Sequence, residues 1–107
     1  HQILDLQEML GIDGDVFVIS NACASGANSI GHAADLIRSG LASVVLCGGY
    51  EALSDMLYSG FDSLQAISPD CCRPFDRNRS GLMLGEGAAF FVLESEESVE
   101  RRGITPV

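Results

Sequence analysis

A run of strand-forming residues gives way to a helical pattern within about five positions, and this switch constrains the fold more than anything else in the chain. Asp15-Val16-Phe17-Val18-Ile19-Ser20 is short, β-branched and aromatic, the composition of a buried strand. From Ser25 to about Ser39 the period becomes helical. Ala27, Ile30, Ala34, Ile37 and Leu41 recur at three and four, and Gly40 stands where a C-terminal cap belongs. Gly26, Ala27, Gly31, Ala33 and Ala34 are small enough to let that helix pack closely, so it is expected to be largely buried. Residues 43–47 read as a second buried strand closed by Gly48-Gly49, and residues 87–94 as a third. A charged helix then starts at Ser95 and ends near Arg101-Arg102-Gly103. Upstream, Ile3, Leu6 and Leu10 form the stripe of a helix tail, which Gly11-Ile12-Asp13-Gly14 breaks. Residues 50–80 read as mixed turns and polar loop. Strand, helix, strand is the order of an α/β protein with a parallel or mixed sheet.

Composition narrows the function classes. The 107 residues suffice for one small domain, and the chain opens at His1 without a Met, as if cut from something longer. Net charge is −9, and all six basic residues are Arg, so nucleic acid and anionic membrane are disfavoured partners. No apolar run approaches a membrane span, and no secretory signal opens the chain. The four cysteines, Cys23, Cys47, Cys71 and Cys72, form no Cys-x-x-Cys, and the only histidines are His1 and His32. No metal site is expected from that set. Reduced thiols in a cytoplasmic protein are the expected state.

Cys23 lies three residues past the first strand and about two before the helix. A strand–turn–helix elbow lifts a side chain out of the sheet. The helix start supplies unpaired N–H groups and a positive dipole end, which favour a thiolate. Ala22, Ala24, Ser25 and Gly26 leave room for a substrate carbonyl beside the sulfur. By position alone, a small buried hydrophobe is the commoner reading of such a cysteine. A nucleophilic cysteine also needs a partner. His32 is nine residues further on the same helix, roughly 13 Å along its axis, and out of reach. It is expected to pack against the helix surroundings instead.

The stretch from Arg73 to Ala88 is a polar loop of alternating charge with a glycine-rich entry to the third strand. It lacks the Gly-Lys-Ser/Thr of a phosphate loop. Asp76, Arg77 and Glu86 read individually as structural. Taken together, Asn21-Ala22-Cys23-Ala24-Ser25-Gly26 with its helix, Cys47-Gly48-Gly49-Tyr50-Glu51-Ala52, and Arg73-Pro74-Phe75-Asp76 through Gly85-Glu86-Gly87-Ala88 resemble the β-ketoacyl-acyl carrier protein synthases. The resemblance covers nearly the whole chain. The Arg-Pro-Phe-Asp loop joined to Gly-Glu-Gly-Ala separates it from thiolases, which share the elbow.

The resemblance implies an α/β, thiolase-like layered fold with a mixed five-stranded sheet, of which only part of one half is present. Residues 1–107 would be a partial ketosynthase N-terminal domain lacking the family's first strands. Cys23 would carry an acyl group as a thioester, and its backbone N–H would help form the oxyanion hole. A malonyl thioester would lose carbon dioxide and attack that acyl group, in fatty acid or polyketide synthesis. No cofactor would be bound. The acyl and malonyl groups would arrive on the phosphopantetheine of an acyl carrier protein, or on coenzyme A. The family's two catalytic histidines and its lysine lie in a later half, so the isolated chain is expected to be inactive. Family members are dimers, so a homodimer is expected, and their paired strand maps to Val16, Phe17, Val18, Ile19 and Ser20. Phe61 would lie near the acyl pocket, with plain core packing an equal reading. Ser80 and Leu82 depart from the acidic and aromatic residues common in the family. A thiolase-type acyltransferase and a non-catalytic interaction fragment stand as the alternatives.

Overall fold

The computed structural model describes residues 2–106, with His1 outside the described residues. Helix α1 spans Gln2–Leu10, α2 Ser25–Arg38, α3 Asp55–Ser63 and α4 Glu96–Arg102. Strands β1, Val44–Glu51, and β2, Gly87–Glu94, form one sheet. The fold is of the expected α/β class. Its sheet among the described residues is a two-stranded antiparallel pair rather than five strands, with Val44 opposite Glu94 and Glu51 opposite Gly87. The Ser95 N–H extends the ladder by bonding to the Ser43 carbonyl at 2.8 Å.

Residues 15–20 correct the sequence reading. They form no strand, and Phe17 and Val18 are 57% and 63% exposed. β-branched side chains favour a pleated, half-buried surface, but a strand exists only where a neighbour accepts its N–H groups. No such neighbour stands among the described residues. Gly48-Gly49 does not close β1 either. Gly48 pairs with Phe90 and Gly49 with Ala89 inside the ladder.

Helix α2 lies across the sheet and is the centre of the packing. Its inward positions include Gly26, Ser29, Ile30, Ala33 and Ile37, of which only Ala33 is fully buried. The expected stripe is therefore rotated: Ala27 and Leu41 are exposed, and small or hydroxyl residues face β1. Close approach of helix to strand selects by size, which hydropathy alone does not register. Gly40, at φ +73°, ends the helix as expected, its N–H on Ile37 and that of Leu41 on Leu36. In β1 the burial alternates from Val44 to Cys47, since one face meets α2 and the other is bare.

Helix α3 falls within the segment read as mixed turns. Its N-cap is Ser54, whose hydroxyl accepts the Leu57 N–H at 3.3 Å. Helix α4 starts and stops as read, capped by Ser95 and ended by Gly103 in the left-handed conformation. Glu96 and Glu97 lie in its first turn and Arg101 and Arg102 in its last, as the helix dipole favours.

The body is open. Its radius of gyration is 17.9 Å, where a compact chain of this length has about 13 Å. Its accessible surface of 8465 Å² exceeds the roughly 5,700 Å² usual for this mass. Large apolar side chains are among what it exposes: Met9, Phe17, Val18, Phe75, Phe91 and Val92 all stand in solvent. No helix among the described residues is long and apolar enough to cross a membrane.

Candidate active site at the Cys23 elbow

Cys23 is the middle residue of a one-turn 3-10 helix, Ala22–Ala24, that runs directly into α2. Its thiol is free and exposed. The residue before it, Ala22, has φ +57°. An L-residue in the left-handed region costs about 1–2 kcal/mol, so something must hold it there. Ser25 does. Its hydroxyl accepts the Asn21 N–H at 2.8 Å and donates to the Ala22 carbonyl at 2.7 Å. The Ser25 backbone N–H donates to the same carbonyl. At roughly 1 kcal/mol net per hydrogen bond, the two hydroxyl bonds match the penalty at Ala22.

The start of α2 is left open toward the thiol. Its N-cap residue is Ala24, which has no side-chain oxygen to cap the first turn. None of the hydrogen bonds among the described residues engages the Cys23 N–H. The elbow therefore presents a sulfur, a donor and the positive end of a 14-residue helix at one place.

Two contacts fix this helix start on the sheet. Ser29 donates its hydroxyl proton to the Gly48 carbonyl at 2.8 Å and accepts the Gly48 N–H at the same distance. A Cβ on Gly49 would come within 3.4 Å of the Gly26 Cα, so glycine faces glycine at the crossing. Gly48, at φ +156°, tolerates no side chain, because a Cβ there would fall 2.1 Å from the Ala89 carbonyl oxygen.

Cys23 opens on a broad concavity that Val16, Phe17, Val18, Ile19, Ser20 and Phe90 also line. The expected strand residues thus share one hollow with the thiol, although they form no strand. Phe61 is not brought to it. It lies half-buried on α3, where its carbonyl accepts the Ala66 N–H at 3.1 Å. His32 packs edge-on against Phe17, with ring centroids 5.1 Å apart at 73°, in keeping with the packing role read for it.

The other thiols differ in kind. Cys47 is buried in β1, and burial pushes its thiol up, away from the reactive thiolate. Cys71 and Cys72 are exposed on the loop after Ser68. That loop is built on itself. Ser68, 5% exposed, has its hydroxyl 2.9 Å from Asp70 Oδ1, 2.9 Å from the Cys71 carbonyl and 2.8 Å from the Ser80 hydroxyl. Arg73 binds Asp70 at 2.6 Å. That guanidinium, with the Cys71 N–H and the Ser68 hydroxyl, holds the Asp70 carboxyl down to about 2. Asp76 accepts the Asn78 N–H at 2.6 Å, and Glu86 accepts the Leu53 N–H at 3.0 Å. Both carboxylates bond to backbone N–H groups. Phe75, at φ +64°, is fully exposed.

Ser25 and Ser29 escaped the sequence reading. A signal was available: two hydroxyl residues four apart in the first turns of the helix, on the face that carries Gly26.

The family model described as beta-ketoacyl synthase, N-terminal domain, matches residues 6–98. The chain is 45% identical over 97 residues to nodulation protein E of Rhizobium leguminosarum bv. trifolii, covering 90% of this chain and 24% of that protein. It is 44% identical over 100 residues to the tetracenomycin polyketide synthase ketoacyl synthase alpha subunit of Streptomyces glaucescens, covering 87% and 24%. Among solved structures it superposes on a beta-ketoacyl synthase from Burkholderia phymatum STM815 with a TM-score of 0.88 at 39% identity, over 95% of this chain and 26% of that one. A type II polyketide acyl-carrier protein in complex with its ketosynthase gives 0.85 at 31% identity, over 95% and 27%. The chain spans about a quarter of the length of the curated relatives it matches.

Proposed function

The chain belongs to the beta-ketoacyl synthase family, and from that premise we propose that the complete protein is a condensing acyltransferase with Cys23 as its acyl-carrying nucleophile. The observation that carries this reading is the elbow: an exposed free thiol held between the left-handed Ala22 and the uncapped start of α2, opening on a hollow. The Cys23 thiolate attacks the carbonyl of an incoming acyl thioester. The Cys23 N–H donates to the oxyanion as the tetrahedral intermediate forms. The carrier thiolate leaves, and the acyl group stays on sulfur. A malonyl thioester then breaks its C–C bond to release carbon dioxide. The electron pair left behind attacks the acyl carbonyl, and Cys23 thiolate departs as the β-ketoacyl chain forms on the carrier.

The acyl and malonyl groups arrive on the phosphopantetheine of an acyl carrier protein or on coenzyme A, in fatty acid or polyketide synthesis. A carrier protein is the natural partner, in line with the complex to which this chain is similar. The second subunit is a further copy of the chain, and residues 16–20, exposed apart from the half-buried Ile19 and unpaired among the described residues, are the edge that supports it. Four free thiols suit a cytoplasmic setting. Residues 1–107 are read as part of the ketosynthase N-terminal domain, and the acid–base partners of the condensation belong to the rest of the protein. The isolated 107 residues are expected to give no turnover in a condensation assay.

In the complete protein, Cys23→Ala should abolish the acyl-enzyme adduct in an intact-mass measurement after incubation with acyl thioester. An adduct of unchanged occupancy on the variant overturns the assignment.

A further inference from the structure

Resting on the reading of Cys23 as nucleophile, we propose that Ser25 is a positioning residue for acyl transfer, whose hydroxyl holds the Cys23 N–H in donor position. The hydroxyl bridges two peptide groups of the elbow, the one that enters Asn21 and the one that leaves Ala22. It accepts the Asn21 N–H at 2.8 Å and donates to the Ala22 carbonyl at 2.7 Å. The bridge thus spans Asn21 and Ala22, and Ala22 is the strained residue of the elbow at φ +57°. The peptide plane joining Ala22 to Cys23 carries the Ala22 carbonyl at one end and the Cys23 N–H at the other. Holding the carbonyl therefore fixes the direction of the N–H. If the hydroxyl is lost, the Ala22 carbonyl keeps only the Ser25 N–H, and that plane is held less firmly against relaxation of Ala22 toward negative φ. The thiol stays on its 3-10 turn, but the donor no longer points where the oxyanion develops.

Two probes separate these effects in the complete protein. Iodoacetamide alkylates a thiolate with no oxyanion to stabilise. Acylation by acetyl- or hexanoyl-pantetheine passes through a tetrahedral oxyanion. Ser25→Ala is expected to slow single-turnover acylation of Cys23 by 10- to 100-fold, while alkylation across pH 6 to 10 changes by less than about threefold. Ser25→Thr keeps the hydroxyl and is expected to restore acylation to within about fivefold of the parent. Adding Ala22→Gly to Ser25→Ala relaxes the left-handed residue and should recover part of the lost rate. That double variant also serves if Ser25→Ala alone folds poorly.

Acylation of Ser25→Ala within twofold of the parent overturns the proposal. So does a parallel change in both probes that Ser25→Thr does not reverse, because that pattern marks general loosening. The reading beneath it fails in a different way: Cys23→Ala remains labelled, or the parent Cys23 takes no acyl group from either thioester. A silent Cys23→Ala with an undisturbed Ser25→Ala leaves the nucleophile standing and removes Ser25 alone.

Discussion

Around Cys23 a serine hydroxyl ties backbone to backbone, whereas in the loop between Ser68 and Ser80 another ties a carboxylate and a second hydroxyl together. Ser25 bonds only to the peptide groups of Asn21 and Ala22. Ser68 meets Asp70, the Cys71 carbonyl and Ser80, and Asp70 carries the Arg73 ion pair besides. Each region also rests on a glycine whose φ is positive and whose missing side chain lets another backbone approach. Gly48 stands under Ala89, and Gly81 stands under Ala66 and Ser68. The elbow is thus fixed by neutral bonds on a sheet, and the loop by a charge on a mostly exposed surface. The first arrangement is indifferent to pH and rigid. The second is conditional.

Four measurements in the complete protein would break or sharpen that contrast. The largest effect is expected from Gly48→Ala, which places a Cβ 2.1 Å from the Ala89 oxygen inside the ladder. It should destabilise by at least about 3 kcal/mol in denaturant titration, or prevent soluble expression. Gly81→Ala comes next. Its Cβ would lie 2.6 Å from the Ala66 carbonyl oxygen and the Ser68 N–H, but in a loop that can shift. A loss of about 2 kcal/mol is expected, and a larger loss than at Gly48 would invert the proposed order of rigidity.

Ser29→Ala removes both hydroxyl bonds to Gly48. About 1–2 kcal/mol should be lost, with faster amide exchange at the first turns of α2. If exchange rises instead between residues 66 and 82, the two regions are coupled and the contrast fails.

The smallest effect is that of pH. The Asp70 carboxyl is held at about 2, below its ordinary value of 3.8. A carboxylate depressed in the folded state contributes stability above its unfolded value and loses it as pH falls through the folded one. The loop bonds should therefore weaken between about pH 4 and pH 2. Amide exchange at Ser68 and Leu82 reports this, and the Asn21 amide should show no matching change. Loss of protection at Asn21 over the same window would show that the elbow also depends on charge.

Much of the fold was legible where local pattern decides it. The ends of α2 and α4 follow from Gly40, Ser95 and Gly103, and β2 from its apolar run. Helix α3 was hidden because Ser59, Gly60 and Asp62 dilute its apolar stripe. Its cap, Ser54 before Asp55, was the readable sign. Residues 15–20 misled for another reason: a strand needs a partner, and partner choice is not written in the strand itself. At the site, Cys23 stood out by its place between two periods. Phe61 was set near it by resemblance, and nothing in the described residues brings the two together. Ser25 and Gly26 looked like filler in a small-residue run, because side-chain size carries no record of the bonds it permits. The family was readable in the elbow and the loop from Arg73 to Ala88 jointly, and the match over residues 6–98 bears that out.

The left-handed torsion at Ala22 makes stereochemistry itself an experimental variable. At φ +57° the backbone suits the mirror-image amino acid better than the natural one. Introduced there by chemical ligation, d-alanine should sit without penalty, and l-valine, branched at Cβ, should sit worst. A semisynthetic protein carrying each in turn would therefore titrate the bend that presents Cys23 by handedness and branching, with no change in charge.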